Sequence, residues 1–439
     1  MIAVALRGLR HRPGNFVATF LSAFLGATLL MTFAAMLDTA ADADPVSAES
    51  LSTTAMVAGG WCLIIVIFAV TSTLSLAVRR RAEQTALLRR LGATGPQVGR
   101  MIVGEAAAVA VLASAVAVPV ALVLGRLLLT LMQDTGQVAT AVGYAFGPVA
   151  LGVGFGVTLL GSVVAAVATV RRTAGPAGAR PERPRARRIA GVVFLLIATN
   201  CSVLTATLMD GKGIDAMQTA GQAGIWASIG LTLFAPELLR LVTAVLAGPV
   251  RLAGGAAGEL AVLGVRQRTR RLAGAVMPVA LFTGIATGTV YMQGIEDDAA
   301  AGTIQPAYAR DIQTLNYVVV GMITVFVAVM LVNTLIAATT HRRREFAQQR
   351  LAGSTRGQLL AMVGLEGLLV TATGVLSGSA ASLFTILPFG AARADRVWPD
   401  ATPVAYVVIV AVAVALTGLS LLGTTRRTLR GPAVASIRS

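Results

Sequence analysis

Apolar residues in this chain come in long runs rather than in the stripes or alternations of a soluble core. A helix crosses a bilayer in about 20 apolar residues at about 1.5 Å rise each. Runs of that length lie at 16–37, 57–78, 101–132, 146–170, 189–209, 223–246, 273–293, 316–340, 359–388 and 403–424. The pattern predicts an all-α integral membrane protein with about ten transmembrane helices. The third and ninth runs exceed one crossing, so their first turns are expected to stand outside the hydrocarbon.

The polar segments between the runs carry a repeat. Residues 79–105 (RRRAEQTALLRRLGATGPQVGRMIVGE) leave the second run and climb into the third, and 342–366 (RRREFAQQRLAGSTRGQLLAMVGLE) do the same between the eighth and ninth. In one register Ala86, Arg89, Gly92, Thr94, Gln97, Met101 and Glu105 fall on Ala347, Arg350, Gly353, Thr355, Gln358, Met362 and Glu366. Each copy also opens with a basic segment (Gly8-Leu9-Arg10-His11-Arg12; Gly264-Val265-Arg266-Gln267-Arg268) and exits through an Arg and Pro-Ala pair (Arg171, Pro176-Ala177; Arg427, Pro432-Ala433). Such internal similarity is settled before fold. It predicts two parallel four-helix repeats, 1–180 and 251–439, with elbows at 79–100 and 341–358. Between them, 181–250 is expected to hold a basic, Pro-rich linker and two central linking helices.

Composition and charge narrow the class. A hydrophobic fraction of 56% with 13% charged residues lies far from the soluble norm. The net charge of +16 would point to nucleic acid in a soluble chain. Here the Arg runs flank apolar spans, so anionic headgroups and the positive-inside rule account for it, and no nucleic-acid partner is expected. With the N-terminus placed in the cytosol, 30 of the 36 basic residues fall in cytosolic segments. Both termini are therefore expected there, in a bacterial cell membrane. Cys62 and Cys201 lie inside apolar runs with no metal-ligand spacing around them. Gly152/Gly156, Gly284/Gly288 and Gly374/Gly378 each place small residues one turn apart, a generic signal of close helix packing.

The elbow pattern encodes helix, stop and capped restart. Ala82 to Leu91 can form a short helix, Gly92 is placed for a left-handed C-terminal cap, and Thr94-x-x-Gln97 and Thr355-x-x-Gln358 are capping-box patterns. A topology-setting basic loop needs only the charge. Duplication of the stop and restart as well points to a rigid cytosolic lever that docks a partner.

At these residues the chain resembles the FtsX-like (MacB-type) ABC transporter permease family. The resemblance rests on Arg79-Arg80-Arg81, Glu83, Ala86-Leu87-Leu88-Arg89, Leu91-Gly92-Ala93-Thr94 and Glu105, and more weakly on Arg342 to Ala347, Arg350 and Gly353. It implies a transport permease that is not itself an enzyme, driven by separate ABC ATPase subunits, two per fused chain. Glu83, Leu87, Leu88, Arg89 and Gly92 would meet one ATPase, Arg350 and Gly353 the other. ATP and Mg would be used by that partner, and no cofactor is expected on this chain. Lys212, in Asp210-Gly211-Lys212-Gly213, lacks the upstream glycine of a phosphate-binding loop. Two departures matter: Gln348-Gln349 replace Leu87-Leu88 in the second copy, and the loops at 38–56 and 294–315 are short where many relatives carry a large external domain. Short loops favour export or extraction of a hydrophobic or amphiphilic compound, such as a lipid or peptide antibiotic, over the alternative of a transmitter acting on an external cell-wall hydrolase.

Four intramembrane charges stand out. Glu105 and Glu366 sit a turn or so into their spans, and a structural role beside the elbow arginines is expected for both. Glu237 is expected to pair with Arg240 at i, i+3.

Overall fold

The computed structural model describes residues 17–80, 92, 94–173, 184–209, 214–300, 343–394 and 403–429, with scattered positions between 321 and 332. The described residues are helical with short connections. The helices are α1 (Val17–Ala40), α2 (Pro45–Arg80), α3 (Gly95–Asp134), α4 (Pro148–Thr173), α5 (Pro184–Leu208), α6 (Ile214–Leu233), α7 (Ala235–Ala300), α8 (Arg343–Leu351), α9 (Arg356–Ala394) and α10 (Pro403–Leu429). Among the described residues eight helical stretches are long and apolar enough to cross a membrane, a test of length and composition alone that counts Ala235–Arg270 and leaves out α6, and the protein is an integral membrane protein. Both α3 and α9 run well past a single crossing, with 40 and 39 residues. The predicted span at 316–340 falls largely outside the described residues.

The described helices pack as two compact units, α1–α4 and α5–α10. In the first, α1 is the buried centre, touching α2, α3 and α4. Ala27 and Met31 of α1 meet Ala117 and Ala121 of α3, with Phe24, Phe146 and Phe155 around them. In the second, the latter half of α7 is the buried centre and lies along α9. There the backbones nearly touch. A Cβ on Gly378 would stand 2.6 Å from the Ala280 carbonyl oxygen and 2.8 Å from the Gly284 nitrogen, and one on Gly374 would stand 2.5 Å from the Val279 Cβ. Two of the three small-residue pairs thus face each other across α7 and α9. Of the third, neither Gly152 nor Gly156 has an atom within 4 Å of where its Cβ would be.

Two details differ from the expected layout. The run at 223–246 is not one helix: α6 ends at Leu233, Phe234 breaks it, and α7 begins at Ala235. Within α7 the backbone leaves helical geometry at Gly255 (φ 51°, ψ −129°) and again at Arg268. Residues 235–254, 256–267 and 269–300 are therefore three helical pieces. The second difference concerns α5 and α6, which pack on each other and on α9 and so belong to the second unit.

Candidate functional site

The second elbow is built on α8. Phe346 and Ala347 are driven inward, where they join Ala257 and Ala261 of α7, Leu359, Met362 and Val363 of α9, and Leu429 of α10. Burying this aromatic contributes about 2–3 kcal/mol and fixes which face of α8 points in. Two polar ties hold its ends. Arg268 Nη1 donates to Glu345 Oε2 at 2.7 Å, and Arg350 Nη1 donates to the Leu429 carbonyl at 3.4 Å. The outward face then carries Gln348 and Leu351, the latter 59% exposed.

The helix stops by a Schellman arrangement. The Gly353 amide donates to the Arg350 carbonyl and the Ser354 amide to the Gln349 carbonyl. Gly353 supplies the left-handed residue with φ 96°. The restart is a complete capping box: the Thr355 amide donates to Gln358 Oε1 at 2.9 Å and the Gln358 amide to Thr355 Oγ1 at 3.2 Å. The first elbow repeats the geometry where it is described. Gly92 has φ 95°, the Thr94 amide donates to Gln97 Oε1 at 3.0 Å, and the Val98 amide reaches the Thr94 carbonyl as Leu359 does that of Thr355. Val98, Ile102 and Ala106 then bury against Ala165 and Ala166 of α4. Glu83, Leu87, Leu88 and Arg89 lie outside the described residues.

Of the expected docking residues, then, Gly92 and Gly353 are exposed turn formers and Arg350 is half-buried, tied to the last turn of α10. Glu105 and Glu366 are both buried. A Cβ on Gly264 would stand 2.5 Å from Glu366 Oε1, so the carboxylate fills the space this glycine leaves. The expected Glu237–Arg240 pair is replaced by one between helices. Glu237 accepts from Arg187 Nη2 at 2.7 and 2.8 Å and from Arg188 Nε at 3.1 Å, while Arg240 is exposed. The antiparallel packing of α5 on α6 brings both guanidiniums to the start of α7, and their charge-assisted bonds outcompete an i, i+3 contact. Among the described residues no three His, Cys, Asp or Glu side chains gather where they could share a metal ion.

At the other end of the first unit sits a constellation that pattern reading passed over. Asp38, at the end of α1, accepts from the Val149 and Ala150 amides at 3.1 and 2.8 Å and so caps α4 from another helix. Gly147, in the cap position, leaves room for it: a Cβ there would be 2.6 Å from Asp38 Oδ1. Thr39 Oγ1 accepts from the Ala145 amide and donates either to the Ala145 carbonyl or within α1. The second unit ties the ends of α7 and α9 differently, with Arg393 forking onto Glu296 at 2.8 Å through both Nε and Nη2.

Compared with known families, residues 56–174 and 317–433 each match the FtsX-like permease C-terminal domain. The two matches begin 261 positions apart, the spacing that superimposes Gly92 on Gly353, and together they cover more than half of the chain. The chain belongs to the FtsX-like permease family. A search of curated proteins found no match to it. FtsX-like permeases are typically the non-catalytic transmembrane subunits of ABC transporters and pair with ABC ATPases. Each elbow of this FtsX-like permease lies inside one of the two matched domains.

Proposed function

We propose that this permease couples ATP hydrolysis by two separate ATPase subunits to export, or extraction from the membrane, of a hydrophobic or amphiphilic compound of the lipid or peptide-antibiotic class. The reading puts both elbows and both termini in the cytosol, and leaves ATP and Mg to the partner. One observation carries it: a left-handed glycine followed by a capped restart recurs in both copies, with φ of 95° and 96° at Gly92 and Gly353. A basic loop that only sets topology has no need of such geometry. In the second copy the elbow is bolted to α7, α9 and α10 through Phe346, Glu345 and Arg350, so a push on its outer face moves helices rather than a loop. Gln348 and Leu351 are the side chains that face presents, and Arg350 braces it from behind.

The test is co-purification with the ABC ATPase subunits of the same cell. Leu88→Asp with Arg89→Glu is expected to abolish association through the first elbow, and Leu351→Asp to weaken the second. Undiminished binding by the combined variant, with the protein folded, would overturn the docking assignment.

A further inference from the structure

Between α6 and the buried half of α7 the chain spends residues 235–267 on something other than a crossing. At 20 residues α6 is about 30 Å long, which already fills the hydrocarbon layer. The two pieces of α7 that follow fold back on each other at Gly255. Gly258 lies against the Val250 carbonyl, and Arg251 Nε meets Glu259 Oε2 at 2.8 Å. Both ends and the tip stay at the elbow end of the unit. Glu237 is held by the arginines that open α5, Gly254 touches Leu365, and Gly264 makes room for Glu366. A crossing would have carried the tip to the opposite end of α9.

The first arm has two faces. Leu239, Thr243, Ala247 and Val250 are turned inward and buried. Leu241, Val245 and Leu252 form a second apolar stripe, at i, i+4 and i+11, that is 62%, 68% and 88% exposed. A soluble surface does not tolerate such a stripe on a helix without an occupant. The Glu237 pairs set this arm beside the start of α5, where Ile189, Val192, Val193 and Leu196 are exposed on a membrane-spanning helix. The stripe thus continues a lipid-facing surface. Exposed Arg240 immediately precedes the stripe, and Arg266 at the end of the second arm and Arg270 just beyond it are exposed too, all suited to phosphate headgroups.

We infer that residues 235–267 form a hairpin lying on the membrane at the elbow end of the second unit, with Leu241, Val245 and Leu252 immersed at the boundary of headgroups and acyl chains. Its second arm carries Ala257 and Ala261, against which Phe346 packs, so the hairpin is a lipid-seated bearing under the second elbow. The inference stands on geometry alone and survives if the transport reading fails.

The full-length permease in nanodiscs of phosphatidylethanolamine and phosphatidylglycerol tests it. In a Cys62→Ala, Cys201→Ala background, spin labels at Leu241→Cys, Val245→Cys and Leu252→Cys are expected to collide with oxygen at least about threefold more than with a water-soluble nickel chelate, at a depth of about 5–10 Å. A label at Arg240→Cys is expected to reverse that preference. Brominated lipid provides a second measurement: Val245→Trp is expected to be quenched as strongly as Leu196→Trp on α5. Labels open to nickel would place the stripe in water, and labels closed to both reagents would place it under protein. Either result overturns the inference.

Discussion

The two units share an elbow but not a way of holding their helices together. In the first, the central contact is made by alanines: Ala117 of α3, fully buried, sits where the repeat register puts Gly378 of α9. In the second, glycine on both helices lets backbone meet backbone. At the end away from the elbow, the first unit caps α4 with Asp38 and pins the loop before α4 to Thr39, whereas the second uses the ion pair Glu296–Arg393. The same left-handed glycine, with φ of 95° and 96°, thus stands on two differently packed bundles, which is what the docking reading expects.

The largest test of this contrast copies one unit into the other. Gly378→Ala merely installs the side chain that the first unit carries at the same place, yet its Cβ would meet backbone atoms that cannot swing away. The expected cost is about 2–3 kcal/mol, read as a fall in the thermal midpoint of the purified protein. Ala117→Gly in the first unit should cost only about 1 kcal/mol. Equal effects would break the contrast. Next comes Asp38→Ala, which strips the cap from α4 and leaves two donors unmet, expected to cost about 1–2 kcal/mol. Asp38→Asn should recover about half of that. Its opposite number, Glu296→Gln, should cost about 0.5 kcal/mol, because both partners of that pair are close to one-third exposed.

The same contrast shows what the chain discloses to a reader and what it withholds. The spans are legible because bilayer thickness imposes a run length on every crossing. The elbows are legible because a left-handed glycine and a capping box act within six residues of each other, as from Gly353 to Gln358. The hairpin at 235–267 is not, since a helix apolar on both faces reads as a crossing. The pairing of Glu237 with Arg187, fifty positions upstream, together with the contacts of Gly254 and Gly264 with Leu365 and Glu366, reveals where it lies. Asp38 escapes notice for the same reason. It is one acid among several in a polar segment until folding brings Gly147 beside it. The small-residue pairs disclose that helices approach closely but not which ones meet.

The smallest effect is also the one most confined to a single unit. Tyr144, in the loop between α3 and α4, packs on Gly125 with Arg126 over its ring at 5.8 Å. Burial pushes its hydroxyl up to about 12, with the Arg126 guanidinium pulling it down and the Asp38 carboxylate pushing it up. An unfolded tyrosine loses its proton near 10, so between about pH 10 and 12 the unfolded chain binds fewer protons than the folded one. The stabilisation is complete below about pH 10 and is lost as pH rises towards 12, modestly, because the ring is half-buried. Tyr144→Phe should flatten that dependence. If the contrast holds, the alkaline loosening is local. Fluorescence of Trp61, on α2 in the first unit, should shift at lower pH than that of Trp226, on α6 in the second, each read with the other tryptophans replaced by phenylalanine. Coincident shifts would mean that the two bundles yield as one body, and that their different fastenings are interchangeable.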